Sequence, residues 1–191
     1  SIVSITDDFL IDNKPAILME YVEGKSLAQL VREEKFLQAD EVIEIARQIA
    51  AGLKECHNTI NKEGDTSQQL AIIHNDIHSK NIIKTIDENG YPFYKLIDFG
   101  LSFTNADKAD KEQKIHGMKE YKAPEKWSEE KIGTQSDIYS FGVVLYEMLA
   151  GQVPFPIDNY EDMEQELSLK NKILFEKAPN IWQIRKQKIE S

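Results

Sequence analysis

Apolar and polar positions along the chain predict a short β-rich beginning followed by a mainly helical remainder. Two apolar, β-branched runs at residues 2–6 and 16–22 flank a turn-forming cluster at residues 12–15. Two such runs around a turn are typical of a β-hairpin. After the hairpin, apolar residues recur at three- and four-residue steps, which is the period of a helix with one buried face. The pattern therefore predicts a β-hairpin followed by a series of helices.

Two helices are predicted directly after the hairpin. Residues 27–35 predict a short helix, and Ser26 is in position to cap it. A longer helix follows, for which Asp40 is a suitable N-cap. Its predicted buried face consists of Val42, Ile45, Ala46, Ile49 and Leu53. His57, at the end of this pattern, is expected at the helix terminus or the surface rather than as a ligand. Residues 61–69 are polar and rich in turn-formers, which predicts a surface loop.

A third helix, also long, is predicted from Thr134, with Thr134 and Asp137 at the spacing of a capping box, and Gly151 ends it. Its predicted core-facing residues are Ile138, Phe141, Leu145 and Met148. Residues 163–175 carry another helical pattern. Trp182 and its apolar neighbours predict a packed last segment.

Composition and charge narrow the class of protein. The 191 residues are 41% hydrophobic and 29% charged, which is ordinary for a folded globular domain. The net charge of −10 opposes attraction to phosphate backbones and anionic bilayers, so neither nucleic acid nor a membrane is expected as a partner. The single Cys56 fits a reducing compartment, and no apolar run approaches the length of a membrane span. The expected location is the cytoplasm.

Polar side chains follow apolar runs at two points of the chain. Residues 71–73 are apolar and lead to Asp76, and Asn81 follows five positions later, before another apolar pair. Residues 94–97 have the pattern of a strand whose end carries Asp98. If these three side chains meet, they offer the oxygen ligands that Mg²⁺ shares with phosphates. The sequence therefore predicts a site for metal-dependent phosphoryl transfer, which needs mainly a positioned hydroxyl and bound metal.

These residues resemble the catalytic loop of protein kinases, H-R-D-x-x-x-x-N, followed by D-F-G. Residues 74–81 read H-N-D-I-H-S-K-N, and residues 98–100 are D-F-G. Two further blocks follow in the family's order: G-M-K-E-Y-K-A-P-E at 117–125 resembles the end of the activation segment, and S-D-I-Y-S-F-G at 136–142 resembles the start of the long buried helix. Because four blocks occur in order, the resemblance is specific.

The resemblance implies an α+β, protein-kinase-like fold with two small-lobe strands and a hinge followed by a mainly α-helical C-lobe. Residues 1–24 would be the last strands of the N-lobe and the hinge. Residues 25–191 would be the C-lobe, with the catalytic loop at 74–81, the activation segment at 98–125 and a mobile loop at 105–114. The Gly-rich loop and strand lysine do not occur in this sequence. The missing N-lobe segment is therefore an expected partner, and the chain alone would bind ATP poorly.

The resemblance also implies a role for each matching residue, with ATP and Mg²⁺ as cofactors. Asp76 would accept or orient the proton of the attacking hydroxyl, and Lys80 would neutralise the transferred phosphate. Asn81 and Asp98 would hold Mg²⁺. The residues implied to bind the nucleotide are Met19, Glu20, Val22 and Ile83. Structural support is implied for His74, Phe99, Gly100, Glu125 and Asp137.

Three residues depart from the family's pattern. Asn75 replaces an arginine, His78 replaces the lysine of Ser/Thr kinases, and Met118 replaces a threonine.

The expected function is transfer of the ATP γ-phosphate to a protein hydroxyl, of Ser/Thr type, with an atypical non-arginine catalytic loop. The alternative is a pseudokinase that acts as scaffold or regulator. A third reading is a small-molecule phosphotransferase of the same superfold, whose loop is H-x-D-x-H-x-x-N; the A-P-E block at 123–125 favours a protein kinase.

Overall fold

The computed structural model describes residues 1–11, 14–63, 66–104, 117–128 and 130–190. The predicted mobile loop at 105–114 lies outside them. The helices are α1 (Leu27–Glu34), α2 (Ala39–His57), α3 (Thr134–Ala150), α4 (Met163–Phe175) and α5 (Ile181–Glu190). The strands are β1 (Ile5–Ile11), β2 (Lys14–Met19), β3 (Lys25–Ser26), β4 (Thr59–Glu63), β5 (Thr66–Leu70), β6 (Ile72–Ile73), β7 (Ile82–Ile86), β8 (Pro92–Leu96) and β9 (Phe103–Thr104). The predicted α+β class is confirmed.

The predicted N-terminal hairpin is present as β1 and β2, which pair antiparallel with Ile11 opposite Lys14. The first strand begins later than predicted because the chain before it pairs elsewhere. Val3 N donates to Leu96 O at 2.9 Å, and Ile2 bridges to the same residue. The start of the chain therefore joins the hairpin to the end of β8.

The two N-terminal helices begin in different ways. At α1, Ser26 Oγ accepts from Gln29 N and the Gln29 side chain accepts from Ser26 N, so the predicted cap is confirmed as a capping box. At α2 the N-cap is Gln38, without a side-chain hydrogen bond, and the predicted Asp40 cap is wrong. Asp40 lies in the first turn, where its charge suits the positive end of the helix dipole. The predicted buried face of α2 is confirmed for Val42, Ile45, Ile49 and Leu53.

Helix α3 lies in the core. Its N-cap is Gly133, so the predicted Thr134–Asp137 capping box is wrong, because the Asp137 side chain is bound by the catalytic loop instead. Ile138 is 55% exposed, against the prediction that it faces the core. The buried residues of α3 are Ser136, Asp137, Ser140, Phe141, Val143, Val144, Met148 and Ala150. Gly151 ends the helix as predicted, in the left-handed conformation with φ 78°.

The pairing of β7 with β8 positions the two polar loops. Strand β7 lies between β3 and β8 and is antiparallel to both. Ile82 at the start of β7 is opposite Leu96 at the end of β8. Beyond the ladder, Ile97 N donates to Asn81 O at 2.9 Å. The end of the catalytic loop is therefore fixed beside the residue that precedes Asp98.

Two sequence predictions fail in the peripheral segments. Residues 61–69 were expected to form a loop, but β4 and β5 pair antiparallel from Thr59–Leu70 to Glu63–Thr66. Backbone pairing does not require apolar side chains, so the polar composition concealed this hairpin. The last segment is helix α5, but Trp182 is 74% exposed. The Arg185 guanidinium lies over the Phe36 ring, 4.0 Å from its centroid.

The main core lies between the first three helices and β7–β8. It includes Leu27, Leu37, Ile45, Ile49, Ile77, Ile82, Tyr94, Leu96, Val144 and Met148. Within the described ranges, none of the helices has the length and apolar character needed to cross a bilayer.

Candidate active site

The backbone before Asp76 is anchored to Asp137 at the start of α3. The Asp137 carboxylate is buried and accepts the backbone N–H groups of His74 and Asn75, both at 2.9 Å. His57 Nε2 lies 2.8 Å from the same carboxylate and donates to it. A buried carboxylate is stable only with such partners. The first two residues of the catalytic loop are therefore fixed to the helix below.

His57 is a functional residue that sequence reasoning missed. It is the last residue of α2, as expected, but its side chain is 11% exposed and contacts Asp137. The two residues are 80 positions apart in the chain. No local pattern signals this contact, because it depends on how α2 packs against α3.

Asn75 has a left-handed backbone conformation, with φ 69°. This region is uncommon for residues other than glycine, although asparagine tolerates it better than most. The Asn75 side chain donates through Nδ2 to Leu101 O at 3.2 Å. The turn at Asn75 sets the direction in which the next residue, Asp76, leaves the loop.

His74 is held as a neutral ring beneath the loop. Its Nε2 lies 3.1 Å from Ile97 O, and its Nδ1 accepts from Asp76 N at 3.3 Å. A carbonyl can only accept and an N–H can only donate, so these contacts define one neutral tautomer. Burial lowers the pKa of His74, which agrees with the neutral ring. The ring packs edge-on against Phe99, with centroids 4.5 Å apart, and so joins the catalytic loop to the D-F-G tripeptide.

Asp76 is partly buried and has cationic and amide neighbours. His78 Nε2 lies 3.5 Å from Asp76 Oδ2. Burial alone raises the pKa of Asp76, but the interaction with His78 and the positive charge of Lys126 outweigh it and hold the pKa below its ordinary value. Asp76 is therefore ionised at neutral pH, as a hydrogen-bond acceptor for a hydroxyl must be.

Asn81 is oriented by Asp76. Its Nδ2 donates to Asp76 O at 3.0 Å and approaches Asp76 Oδ2 at 3.4 Å. Since a carbonyl oxygen can only accept, the amide nitrogen must be the end that faces Asp76. The Asn81 Oδ1 atom therefore faces away and has the character of a ligand for a hard cation.

Asp98 follows β8 and has an exposed side chain and a left-handed backbone, with φ 65°. Its Oδ1 accepts from Gly100 N at 3.2 Å. The pairing of Ile97 with Asn81 brings the two predicted metal-binding residues to neighbouring positions. In the described part of the chain, no group of three or more His, Cys, Asp or Glu residues could hold a metal ion. A cation here would instead be shared between Asn81, Asp98 and a phosphate-bearing ligand.

The segment at 117–125 packs beneath the catalytic loop. Tyr121 Oη donates to Glu147 Oε2 at 2.6 Å and lies 3.1 Å from Ser79 Oγ. Burial, followed by the charge of Glu147, raises the pKa of Tyr121, so the phenol stays protonated. Ser140 Oγ donates to Tyr121 O at 2.7 Å. These bonds link the loop, this segment and α3.

The remaining support residues of this segment also have defined partners. Ser136 Oγ donates to Glu125 Oε1 at 2.5 Å, which ties the A-P-E block to the start of α3. Met118 packs against the apolar core instead of donating a hydrogen bond. A Cβ added at Gly117, where φ is 95°, would lie 3.0 Å from Asp76 Oδ1. Sequence reasoning missed this close approach of Gly117 to Asp76.

The predicted hinge follows β2. The Glu20 carboxylate accepts from Ser4 N at 2.8 Å and from Lys95 Nζ at 2.5 Å, and the bond from Lys95 lowers its pKa. The Glu20 side chain is thus occupied, and Glu20 N donates to Ser4 O at 3.0 Å, so among the described contacts the backbone C=O of Glu20 is the group able to bind a base. Met19 is 42% exposed, and Val22 is half-buried.

The chain turns from the hinge into β3 at Gly24. A Cβ here would lie 2.1 Å from Lys84 O and 3.0 Å from the Ile83 side chain, so only glycine fits. Ile83 therefore lies beside the end of the hinge. Lys80 directly precedes Asn81 in the chain and is exposed.

An ionised aspartate, an oriented asparagine and an exposed aspartate around a D-F-G turn are the arrangement that the resemblance to protein kinases predicts. A family model described as "Protein kinase domain" matches residues 1–190, and the chain belongs to this family. The resemblance and the protein-kinase-like fold expected from the sequence are therefore confirmed.

Several bacterial kinases are similar to the chain. It is 32% identical over 155 residues to Serine/threonine-protein kinase A of Synechocystis, covering 80% of this chain and 29% of that protein. A probable serine/threonine-protein kinase of Clostridium acetobutylicum is 36% identical over 159 residues, covering 83% and 22% of the two chains. A probable serine/threonine-protein kinase of Clostridium perfringens is 30% identical over 185 residues, covering 94% and 25%. The chain thus spans less than a third of each of these relatives.

Proposed function

We propose that this chain is the catalytic part of a protein kinase that transfers the γ-phosphate of ATP to a protein hydroxyl, of Ser/Thr type. The observation that carries the proposal is the geometry of Asp76 and Asn81, joined by the 3.0 Å bond to Asp76 O and anchored from below by Asp137. An ionised aspartate in this position suits an incoming hydroxyl, and phosphoryl transfer depends mainly on such positioning. The names of the similar bacterial proteins support the Ser/Thr type.

Each residue of the site would have a separate role in phosphoryl transfer. Asp76, with its lowered pKa, accepts a hydrogen bond from the acceptor hydroxyl and orients its oxygen. Asn81 Oδ1 and the Asp98 carboxylate would hold Mg²⁺, which would neutralise charge on the ATP phosphates. Lys80, which is exposed and directly precedes Asn81, would add positive charge to the transferred group. His78 replaces the usual lysine and adds a second basic group beside Asp76.

The nucleotide would lie between the hinge and β7. Glu20 and Val22 would bind the adenine through backbone groups, with Met19 at the back of the pocket and Ile83 beneath the ring. The contacts of Glu20 support this assignment, because its carboxylate and its N–H are both occupied and its backbone C=O is then the recognition group. The proximity of Ile83 to Gly24 supports it as well.

We propose residues 1–24 as small-lobe strands with the hinge, and 25–191 as the C-lobe. The support is the apolar surface of the hairpin, whose side chains at Ile5, Leu10, Ile11, Ile17 and Leu18 are each 50–68% exposed. An apolar patch of this kind is typical of a surface that packs against further structure. The missing N-lobe segment is the partner proposed for it.

The second candidate function is that of a pseudokinase scaffold. The observation that favours it is the environment of Asp76, where Met118 packs into the core and Asn75 binds Leu101 O. Neither side chain then contributes to the acceptor site.

A small-molecule phosphotransferase is the third candidate. The packing of the A-P-E block through Glu125 and Ser136 favours a protein acceptor over it.

The test is phosphate transfer from γ-labelled ATP with Mg²⁺ by the complete protein, on a generic protein acceptor. Asp76→Ala should abolish incorporation, and Asp158→Ala, at an exposed aspartate, should leave it unchanged. Wild-type protein that binds Mg-ATP but labels no protein would favour the scaffold. Label found only on an added amino alcohol or aminoglycoside would favour the small-molecule enzyme.

A further inference from the structure

A lysine side chain is buried behind the catalytic loop. Lys126 directly follows the A-P-E block, in the 3₁₀ turn Pro124–Trp127, and is 8% exposed. Its Nζ donates to Asn75 O at 2.5 Å. Lys126 is 51 positions from Asn75 in the chain, so no local sequence pattern predicts this bond.

Asn75 is thereby held on both sides by opposite charges. Its N–H donates to Asp137 Oδ1 at 2.9 Å, and its C=O accepts from Lys126 Nζ. These two groups belong to the peptide units on either side of the Asn75 Cα, so together they fix its left-handed conformation, with φ 69°. The second of these peptide units carries the N–H of Asp76. Any change of the Asn75 backbone angles would therefore redirect the Asp76 carboxylate.

Packing alone does not account for an ammonium group at this position. An aliphatic side chain would fill the space without removing a charge from water, which is costly unless the charge is bonded. Burial lowers the pKa of Lys126 to about 8, with Asp137, Asp76 and Glu125 acting to raise it and Lys122 to lower it. The ammonium form is thus kept at neutral pH at a cost in folding free energy. What it supplies, and an aliphatic side chain would not, is the hydrogen bond to Asn75 O.

We propose that Lys126 is a positioning residue: with Asp137 it clamps the backbone of Asn75 and so fixes the direction of Asp76. Its catalytic consequence rests on the proposed kinase function, whereas the clamp itself is a property of the fold. Charge-assisted hydrogen bonds are about twice as strong as neutral ones, so the protonated amine is the effective form.

The clamp is tested first without any activity measurement, by amide hydrogen exchange on the complete protein. Lys126→Met keeps the length of the side chain and removes the donor. The amides of residues 74–76 should exchange about tenfold faster in this variant, while those in the middle of α2 keep their wild-type rates. Lys126→Arg should stay within about threefold of wild type, because arginine remains a charged donor. Lys177→Met, at an exposed lysine, is the matched control and should change nothing.

The catalytic consequence is tested by steady-state kinetics. Lys126→Met should lower kcat by on the order of 10- to 100-fold, since small misplacements of a catalytic group have effects of this size. KM for ATP should stay within about twofold, because no proposed nucleotide ligand is changed. Wild-type kcat should fall as the pH rises through about 8, as Lys126 loses its proton. In Lys126→Arg this decline should move to higher pH, a change that a purely space-filling role would not produce.

The outcomes separate the two proposals. Wild-type exchange at residues 74–76 in Lys126→Met would overturn the clamp. Faster exchange with unchanged kcat and an unchanged pH profile would overturn the positioning role. Wild-type protein that transfers no phosphate would refute the proposed function, and the exchange experiment would still decide the clamp.

Discussion

The Asp137→Ala substitution should lower the free energy of unfolding by about 4 kcal/mol. The carboxylate is 1% exposed and accepts from His74 N, Asn75 N and His57 Nε2. Alanine leaves these donors buried without their acceptor, at about 1–3 kcal/mol each, and a water molecule in the new space would recover part of the loss. The expected loss of about 4 kcal/mol lies near the lower end of the summed cost of the three donors. It also agrees with the loss of about 3–5 kcal/mol that follows removal of one partner of a buried charged pair.

The assay is urea denaturation of the complete protein with linear extrapolation, and the m-value should stay unchanged. Asp162→Ala is a matched control, because Asp162 accepts two backbone N–H groups, from Glu164 at 2.9 Å and Gln165 at 3.2 Å, at the start of α4. Water can replace the carboxylate at that helix terminus, so the control should lose only about 1 kcal/mol. Equal losses in the two variants would refute the view that burial makes Asp137 important.

Three further predictions concern backbone contact, capping and pH. Gly24→Ala should destabilise the protein by at least about 2 kcal/mol in thermal unfolding, since its Cβ would lie 2.1 Å from Lys84 O; a neutral result would mean that this close approach is absent. Ser26→Ala should cost about 1 kcal/mol through loss of the capping box with Gln29, and recovery by Ser26→Asp would support the assignment, whereas no loss in the alanine variant would contradict it. Because Lys126 has a pKa of about 8 in the folded protein against 10.5 as its ordinary value, the unfolded chain binds more protons between these values. The unfolding free energy of wild type should therefore rise by up to about 3 kcal/mol across this window relative to Lys126→Met, and parallel pH profiles of the two proteins would contradict the lowered pKa.

The hairpin and the helices were predictable because each is encoded by local pattern. Apolar residues at helical spacing located α2 and its buried face, and Gly151 marked the end of α3. The wrong predictions concern residues that suit more than one position in the local structure. Asp40 suits both the N-cap and the first turn of a helix, and α2 starts two residues earlier than the predicted cap implies, with Gln38 as N-cap. Ile138 suits a core position by its chemistry, but it is exposed because the Asp137 side chain is directed inward.

The site residues were predictable in their spacing along the chain, and the forces that hold them were not. The five-residue separation of Asp76 and Asn81 permits their direct bond, which is a local property. The loop backbone is bound by Asp137 at the start of α3 and by Lys126, at separations of 51 to 63 residues, and His57 at the end of α2 binds Asp137 across 80 residues. Such contacts arise only when helices pack, so no window of sequence contains them.

Because long-range contacts bind the backbone of the catalytic loop, a loop without arginine at position 75 can keep its shape. Asn75 is held mainly through its own backbone N–H and C=O, by Asp137 and Lys126, and these bonds do not depend on its side chain. The left-handed conformation there suits asparagine better than most residues, so the substitution reduces strain at the turn. The buried charge of Lys126 lowers the free energy of unfolding, but it fixes the backbone conformation of Asn75. As the pH rises through about 8, the protein should therefore become more stable and transfer phosphate more slowly, a pair of opposite trends that one buried lysine accounts for.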